Sequence, residues 1–419
     1  MRKNCGNVIA RAGCPKQSRK SNSLDCFTRV NNDVAKQRQA TKRVFKSFFI
    51  SSLLHLFIFS ACAHAAEKSE PEVPEPEPVV RTARLMVIGD VMSHTPQVWA
   101  ARTADGGYDY EEVFRHFRPL FDSADLVIAN LETTLRTDPP YTGYPSFTAP
   151  AQLAFAMRAA GIDIATTANN HICDKSAKGI RSTLRLLDSA GIAHTGAFLD
   201  SAQRRQLNPL YREVNGLRFA LLTYTYGTNG IPVPRGMTVN LIDTAVIAAD
   251  LASVERDSTD CVIVSYHWGD EYRSKPGRMQ RELAAWTRAR GADIVIGGHP
   301  HVVQPFEAHY NADSTAVTGA TWYSLGNFVS NQRRRYTDGG MMADITVTRV
   351  DSLPVQYDLA YRLFWVYTPY RGGVRRYTVL PSAVADTMVR DSTRWQYERF
   401  MRDSRKLLST ADSLFTELK

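Results

Sequence analysis

The sequence predicts an α/β fold built in layers, because short apolar runs alternate with amphipathic segments and each run closes on polar or glycine residues. From Arg84 onward the runs are LMVIGD, ADLVIANLE, GIDIATTANNH, RFALLTYTYG, DCVIVSYHWGD, ADIVIGGHPH and TWYSLGNF. Nearly continuous apolar runs of this length suit strands buried on both faces. Between them, AQLAFAMRAAG, GIRSTLRLLDSAG and RMQRELAAWTRARG place apolar side chains at helical spacing, and each ends in a glycine, as helix C-termini commonly do. No internal repeat interrupts this alternation.

After about Asp344 the pattern changes. ITVTRVDSLPVQYDLAYRLFWVYTPY alternates in a way that predicts antiparallel strands with Arg- and Tyr-rich outer faces, and residues 381–419 read as helix with scattered charge. The expected organisation is a leader over 1–66, a Pro/Glu-rich linker over 67–82, a globular domain over 83–345, and strands and helix over 346–419 that cover the domain without chemistry of their own.

Charge is partitioned unevenly. The chain carries +9 over 419 residues, with 51 Lys/Arg and 42 Asp/Glu, but the first 66 residues are so basic that the remainder is close to neutral. A phosphate-tracking surface needs a basic stripe, and none is visible in the folded part, so nucleic acid is excluded as a partner. The basic leader runs into FFISSLLHLFIFSACAHAA, an apolar stretch short of the ~20 residues that span a bilayer, and reads as an export signal. Two cleavage patterns compete: a loose lipobox at Phe59-Ser60-Ala61-Cys62, with Cys62 lipidated, and Ala63-His64-Ala65 before Ala66. The expected location is the cell envelope, as a membrane-anchored lipoprotein or a periplasmic protein. EKSEPEVPEPEPVV, extended by its prolines, is the expected tether. Of the 6 cysteines only Cys173 and Cys261 fall in the folded region, where buried free thiols are expected and a disulfide scaffold is not.

Chemistry-bearing residues collect at one kind of place. Asp90, Glu132, Asn170, His171, His267, His299 and His301 all lie at or just past the carboxyl ends of predicted strands, the edge where open α/β sheets bind ligands. Gly298-His299-Pro300-His301 supplies two imidazoles that converge only if the backbone turns between them. Imidazoles suit Zn, Mn, Fe or Ni, carboxylates broaden the range, and Asn170 adds a neutral oxygen. Mixed O/N sets of this kind hold metal pairs that clamp an in-line displacement.

GDVMSH at 89–94, NLE at 130–132, NNHICD at 169–174, HWGDEY at 267–272, GGHPHVVQP at 297–305 and SLGNF at 324–328, in this order, resemble the CapA family of poly-γ-glutamate capsule-biosynthesis proteins, related to calcineurin-like metallophosphoesterases. The resemblance implies a four-layer β-sandwich of two mixed sheets flanked by helices, with two divalent metal ions (Mn, Zn or Fe) at one end. Asp90 and His301 match ligands of the first metal, Glu132 stands at the bridging position, and Asn170, His267 and His299 match the remaining ligands. His171 matches the general acid; the bland alternative is a neighbour that merely hydrogen-bonds. Met92 stands where the superfamily has a histidine, and His94 either substitutes for it or is an ordinary loop residue. Glu271 either orients His267 or is a solvated acid, and Asn327 either touches a ligand or forms a turn. Arg333-Arg334-Arg335 either grips an anion or is a solvated loop, and Tyr224-Thr225-Tyr226-Gly227 lines a groove or packs. Two functions follow: a metal-dependent hydrolase acting on a phosphoester or an anionic polymer, or a non-catalytic accessory that binds or exports that polymer beside other capsule-synthesis proteins.

Overall fold

A computed structural model describes residues 77–419. The expected export signal, the lipidation candidate Cys62 and most of the expected linker lie outside the described residues. Two mixed sheets carry the fold. The nine-stranded sheet runs, in spatial order, Thr378–Pro381, Gln356–Tyr367, Gly339–Val350, Val80–Val91, Leu126–Leu131, Ile164–Thr166 and Ala193–Thr195, with Asn327–Val329 and Thr416–Glu417 as side partners. The six-stranded sheet runs Phe306–Tyr310, Val317–Trp322, Ile294–Gly298, Cys261–His267, Leu217–Thr225 and Leu210–Val214. Within each, the strands that deliver the predicted site residues are parallel neighbours, so their carboxyl ends share one edge.

Period-two patterning builds the layers. Leu85 and Val87 point with Ile128 towards Leu221, Ile263 and Ile296 of the other sheet, forming the core between the sheets. The alternate residues Met86 and Ile88 pack outward with Phe117, Leu153 and Met157 under the helices. On the far side, Leu222, Val264 and Tyr266 pack against Leu251 and Leu283, which belong to the helices Thr244–Ala252 and Arg278–Arg288. The result is helices, sheet, sheet, helices. In the helix Ser176–Ala190 the buried Ile180, Thr183, Leu184 and Leu187 repeat at helical spacing, and Gly191 ends it in the left-handed conformation at φ 73°. Among the described residues no helix is long and apolar enough to cross a membrane. Cys173 and Cys261 are buried free thiols.

Two expectations change. TWYSLGNF is not one strand: Val317–Trp322 ends in the six-stranded sheet and Asn327–Val329 starts in the nine-stranded one, so residues 323–326 cross between the sheets. The C-terminal strands are not an added cover either. Gly339–Val350 passes straight through the boundary expected at 345 and pairs antiparallel with Val80–Val91, because Met341, Ala343, Ile345 and Val347 are needed in the core between the sheets. The helix Arg394–Leu408 then packs Tyr397, Phe400, Met401 and Leu408 onto the same core.

The crossover sets the position of Asp90. The Asp90 N–H donates to the Gly326 carbonyl at 3.1 Å, Asp90 pairs with Asn327, and a Cβ on Gly89 would sit 1.9 Å from that same carbonyl oxygen. Gly89→Ala is therefore expected to cost about 3 kcal/mol or more, since backbone on both sides must move. A denaturant midpoint close to that of the unmodified chain would disprove the close approach.

Candidate metal centre

Each ligand candidate is placed by a strand end. Asp90 closes the first strand, Glu132 follows Leu126–Leu131, and Asn170 with His171 lies on the loop after Ile164–Thr166, all from the nine-stranded sheet. His267 ends Cys261–His267, and His299 and His301 follow Ile294–Gly298, from the six-stranded sheet. The centre therefore lies where the two sheets meet at one end of the sandwich. The turn required between the two imidazoles is present as backbone in the left-handed region, φ 93° at His299 and φ 57° at His301. Non-glycine residues hold such angles only where their surroundings enforce them. The two rings end 5.9 Å apart. Gly298 leaves room beside them, since a Cβ there would lie 3.0 Å from Asp90 Oδ1.

All of these side chains are buried. His301 Nδ1 donates to Asn327 Oδ1 at 3.0 Å and lies 3.2 Å from Asp90 Oδ2. His267 Nε2 faces Asn170 Oδ1 at 2.9 Å and Glu132 Oε1 at 3.5 Å. Two sets, Glu132–His299–His301 and Asp90–Glu132–His267, each bring three ligand atoms within 4.8 Å of one another, with Glu132 in both. Those sets cut across the division that the resemblance implies, whereas the closest contacts, Asp90 with His301 and Asn170 with His267, follow it. The shorter distances are the better guide to ligand sharing, and the looser sets show that the whole cluster converges. Both Glu132 oxygens and His299 Nδ1 are buried without a hydrogen-bond partner among the described residues. A buried carboxylate without donors is costly, so this donor set fits divalent cations.

The electrostatics agree with that fit. Burial pushes the Glu132 carboxyl up, and the Asp90 charge pushes it further, to about 8. Burial alone would also raise Asp90, but the His301 hydrogen bond, the neighbouring imidazoles and the Asn130 amide hold it at about 2. His267 falls to about 3 and His299 to about 2, first through burial. Both are thus neutral, the form in which imidazole ligates a cation. At His301, burial is outweighed by the charges of Glu132 and Asp90, which raise it to about 9.

The other candidates separate. His171 Nδ1 is held by Asp174 Oδ2 at 2.8 Å, and its ring stands edge-on to Phe147, with centroids 4.6 Å apart. His94 belongs to neither ligand set. It begins the helix Thr95–Ala101, with Nδ1 3.2 Å from Gln97 Oε1 and accepting from the Asn331 N–H at 3.3 Å. Met92 is buried. Glu271 is exposed and makes no hydrogen bond to His267; the Asn130 amide contacts that ring at 3.4 Å instead. Asn327 is buried and orients His301, donating to the Thr337 carbonyl at 3.0 Å. Tyr224 packs in the core and donates to Asp250 Oδ2 at 2.8 Å, whereas the exposed Tyr226 lies against His299, with rings 4.5 Å apart. The arginines divide too: Arg334 stacks over Tyr272 at 4.1 Å, and Arg335 pairs with Asp403 at 2.7 Å.

Asn130 and Asp174 were not among the residues singled out from sequence. Both sit inside motifs that were. Asn130 lies two before Glu132 and donates to Asp90 Oδ1 at 2.8 Å, and alternation along a strand was the available signal. Asp174 lies three after His171, the spacing of one turn.

A family described as "Bacterial capsule synthesis protein PGA_cap" matches residues 84–332. The chain is 30% identical over 262 residues to "Capsule biosynthesis protein CapA" of Bacillus anthracis, covering 59% of this chain and 60% of that protein, under two thirds of its length. It is 27% identical over 307 residues to "PGA biosynthesis protein CapA" of Bacillus subtilis (strain 168), covering 70% of this chain and 75% of that protein. Among solved structures, a phosphatase from Mycoplasma pneumoniae aligns with a TM-score of 0.38 and 14% identity, over 67% of this chain and 95% of that one.

The shifted groups set a pH optimum for the metal-free protein. Below about 6.5 the unfolded chain holds more protons, because His267 and His299 are depressed from 6.5 in the fold, so stability rises with pH. Above that value the fold holds more, because Glu132 titrates near 8 rather than 4.5 and His301 near 9 rather than 6.5, so stability falls. Thermal unfolding of the chelated full chain should peak near pH 6.5. Saturating Mn or Zn, at about a hundred times Kd, should raise the midpoint by roughly 5 °C, and Glu132→Gln should remove that increment without lowering the metal-free midpoint. A metal-induced rise that survives Glu132→Gln would rule out a cation on Glu132.

Proposed function

This chain belongs to the bacterial capsule synthesis (PGA_cap) family, and on that premise we propose that it is an exported, envelope-held, metal-dependent hydrolase cleaving an ester or polymer bond of an anionic capsule polymer. Glu132 carries the proposal: a fully buried carboxylate common to two ligand sets, with both oxygens free of hydrogen bonds among the described residues. Asp90, Asn170, His267, His299 and His301 would complete the coordination of Mn, Zn or Fe around it. Divalent cations held there would supply Lewis acidity and lower the pKa of water towards neutrality.

This chain's own residues would do the remaining work. Asp90 and Glu132 offset the cationic charge, while Asn130 and Asn327 fix the Asp90 carboxylate and the His301 ring. His171 donates a proton from Nε2 to the departing oxygen, and Asp174 holds Nδ1 so that the ring keeps that orientation. Phe147 against the ring keeps water from that side. The leader, through Cys62 or through cleavage after Ala65, would place the domain in the envelope beside other capsule-synthesis proteins, with the Pro/Glu tract as tether.

One observation favours a second role, a non-catalytic accessory that binds or exports the polymer: Met92 is buried where the first cation would take an imidazole, and His94 is turned to Gln97. Turnover separates the two. With the full chain loaded with Mn or Zn and assayed on bis-p-nitrophenyl phosphate, p-nitrophenyl phosphate and polyglutamate, His171→Ala should lower turnover by roughly 10²- to 10⁴-fold. Its metal content by elemental analysis should stay unchanged, and Asp174→Asn should give a smaller loss. Stoichiometric metal with no turnover on any of the three would sink the hydrolase and leave the accessory.

A further inference from the structure

The loop after the strand Leu217–Thr225 reaches the centre through a residue that is not a ligand candidate. Asn170 is buried, and its amide oxygen lies 2.9 Å from His267 Nε2. Its amide nitrogen points the other way and donates to Asn229 Oδ1 at 3.2 Å. The Tyr226 hydroxyl donates to the same oxygen at 3.4 Å. A single acceptor on Asn229 thus gathers a ligand candidate and the aromatic ring that lies against His299, with centroids 4.5 Å apart.

Which way round the Asn170 amide faces decides whether it can ligate. Its oxygen offers lone pairs to a cation, whereas its nitrogen carries two hydrogens and only donates. His267 is itself a ligand candidate, so its hold on the Asn170 oxygen would pass to a cation. Asn229 is not, and its side-chain oxygen can accept only from the nitrogen end of the amide. The loop is shaped to keep that oxygen in place. The Tyr226 N–H donates to the His267 carbonyl at 2.9 Å, the Ile231 N–H to the Thr228 carbonyl at 2.9 Å, and the Thr228 hydroxyl to the Ile231 carbonyl at 2.6 Å. Inside that turn Asn229 adopts φ 52°, the left-handed conformation that asparagine and glycine accept most readily. Its side chain is exposed, so the turn rather than core packing sets where it points.

We propose that Asn229 is a positioning residue of the metal centre: it fixes the Asn170 amide with the oxygen towards His267 and the nitrogen away. This role rests on the reading of Asn170 as a cation ligand in the function above, and it does not need turnover.

The affinity of the full chain for Mn and for Zn, measured by titration calorimetry beside metal-free melting, tests it. Asn229→Gly keeps the left-handed backbone and deletes the acceptor, so it should weaken metal binding roughly tenfold or more and leave the metal-free melting temperature unchanged. Asn229→Asp retains the acceptor and should bind metal at least as tightly as the unmodified chain. Asn170→Asp has an oxygen at both ends and needs no orienting, so adding Asn229→Gly to it should change affinity by less than about twofold. An equal loss in the Asn170→Asp background, a lowered metal-free melting temperature in Asn229→Gly, or weak binding by Asn229→Asp would overturn the positioning role in favour of a structural one. Unchanged affinity in Asn229→Gly would overturn it while leaving the metal centre intact. An unmodified chain that takes up neither Mn nor Zn would refute the metal centre, and the positioning role with it.

Discussion

Among the described residues Glu132 has no hydrogen-bond partner for its carboxylate, and much of the centre can be understood as a response to that charge. In an apolar interior a lone carboxylate is expensive, and it persists only if opposite charge is supplied or the proton is kept. Here the neighbouring Asp90 makes ionisation harder still, and the imidazoles of His267 and His299 are kept neutral by their own burial. Only His301 is biased towards a positive charge. Once Glu132 gives up its proton, one imidazolium faces two carboxylates, a deficit that divalent cations meet, so the ligand set is expensive for the bare fold and useful for binding metal.

Holding that arrangement requires backbone rather than side-chain adjustment. Two histidines adopt left-handed angles, and a Cβ on Gly298 would come within 3.0 Å of Asp90 Oδ1. The crossing segment from Trp322 to Asn327 brings the Gly326 carbonyl onto the Asp90 N–H and Asn327 onto the His301 ring. A connection between sheets thus also fixes members of the centre drawn from both. Strain of this kind persists only where rigid surroundings enforce it, and the two packed sheets supply that rigidity.

Charge is arranged on a larger scale as well. The high basicity of the whole chain lies in its first 66 residues, while the remainder is near neutral overall. Local placement, not net charge, is what a site of this kind presents to an anionic partner. The strands after Asp344 also belong in this picture. They complete the nine-stranded sheet and lead into the helix Arg394–Leu408, which packs on the core between the sheets.

The sequence by itself determined the α/β alternation, the sandwich implied by ordered motifs, and the convergence of Asp90, Glu132, Asn170, His171, His267, His299 and His301. Those features are local: apolar runs give strands, and parallel strands place their carboxyl ends on one edge. What only the tertiary structure decided were contacts between distant segments. Asp174 rather than Glu271 is a carboxylate bound to a site histidine, His94 turns to Gln97, Tyr226 reaches the centre while Tyr224 packs, and TWYSLGNF divides between the sheets. None of these can be read from spacing, because each depends on which face a side chain presents once two sheets have packed, and a shift of one residue along a strand reverses that face.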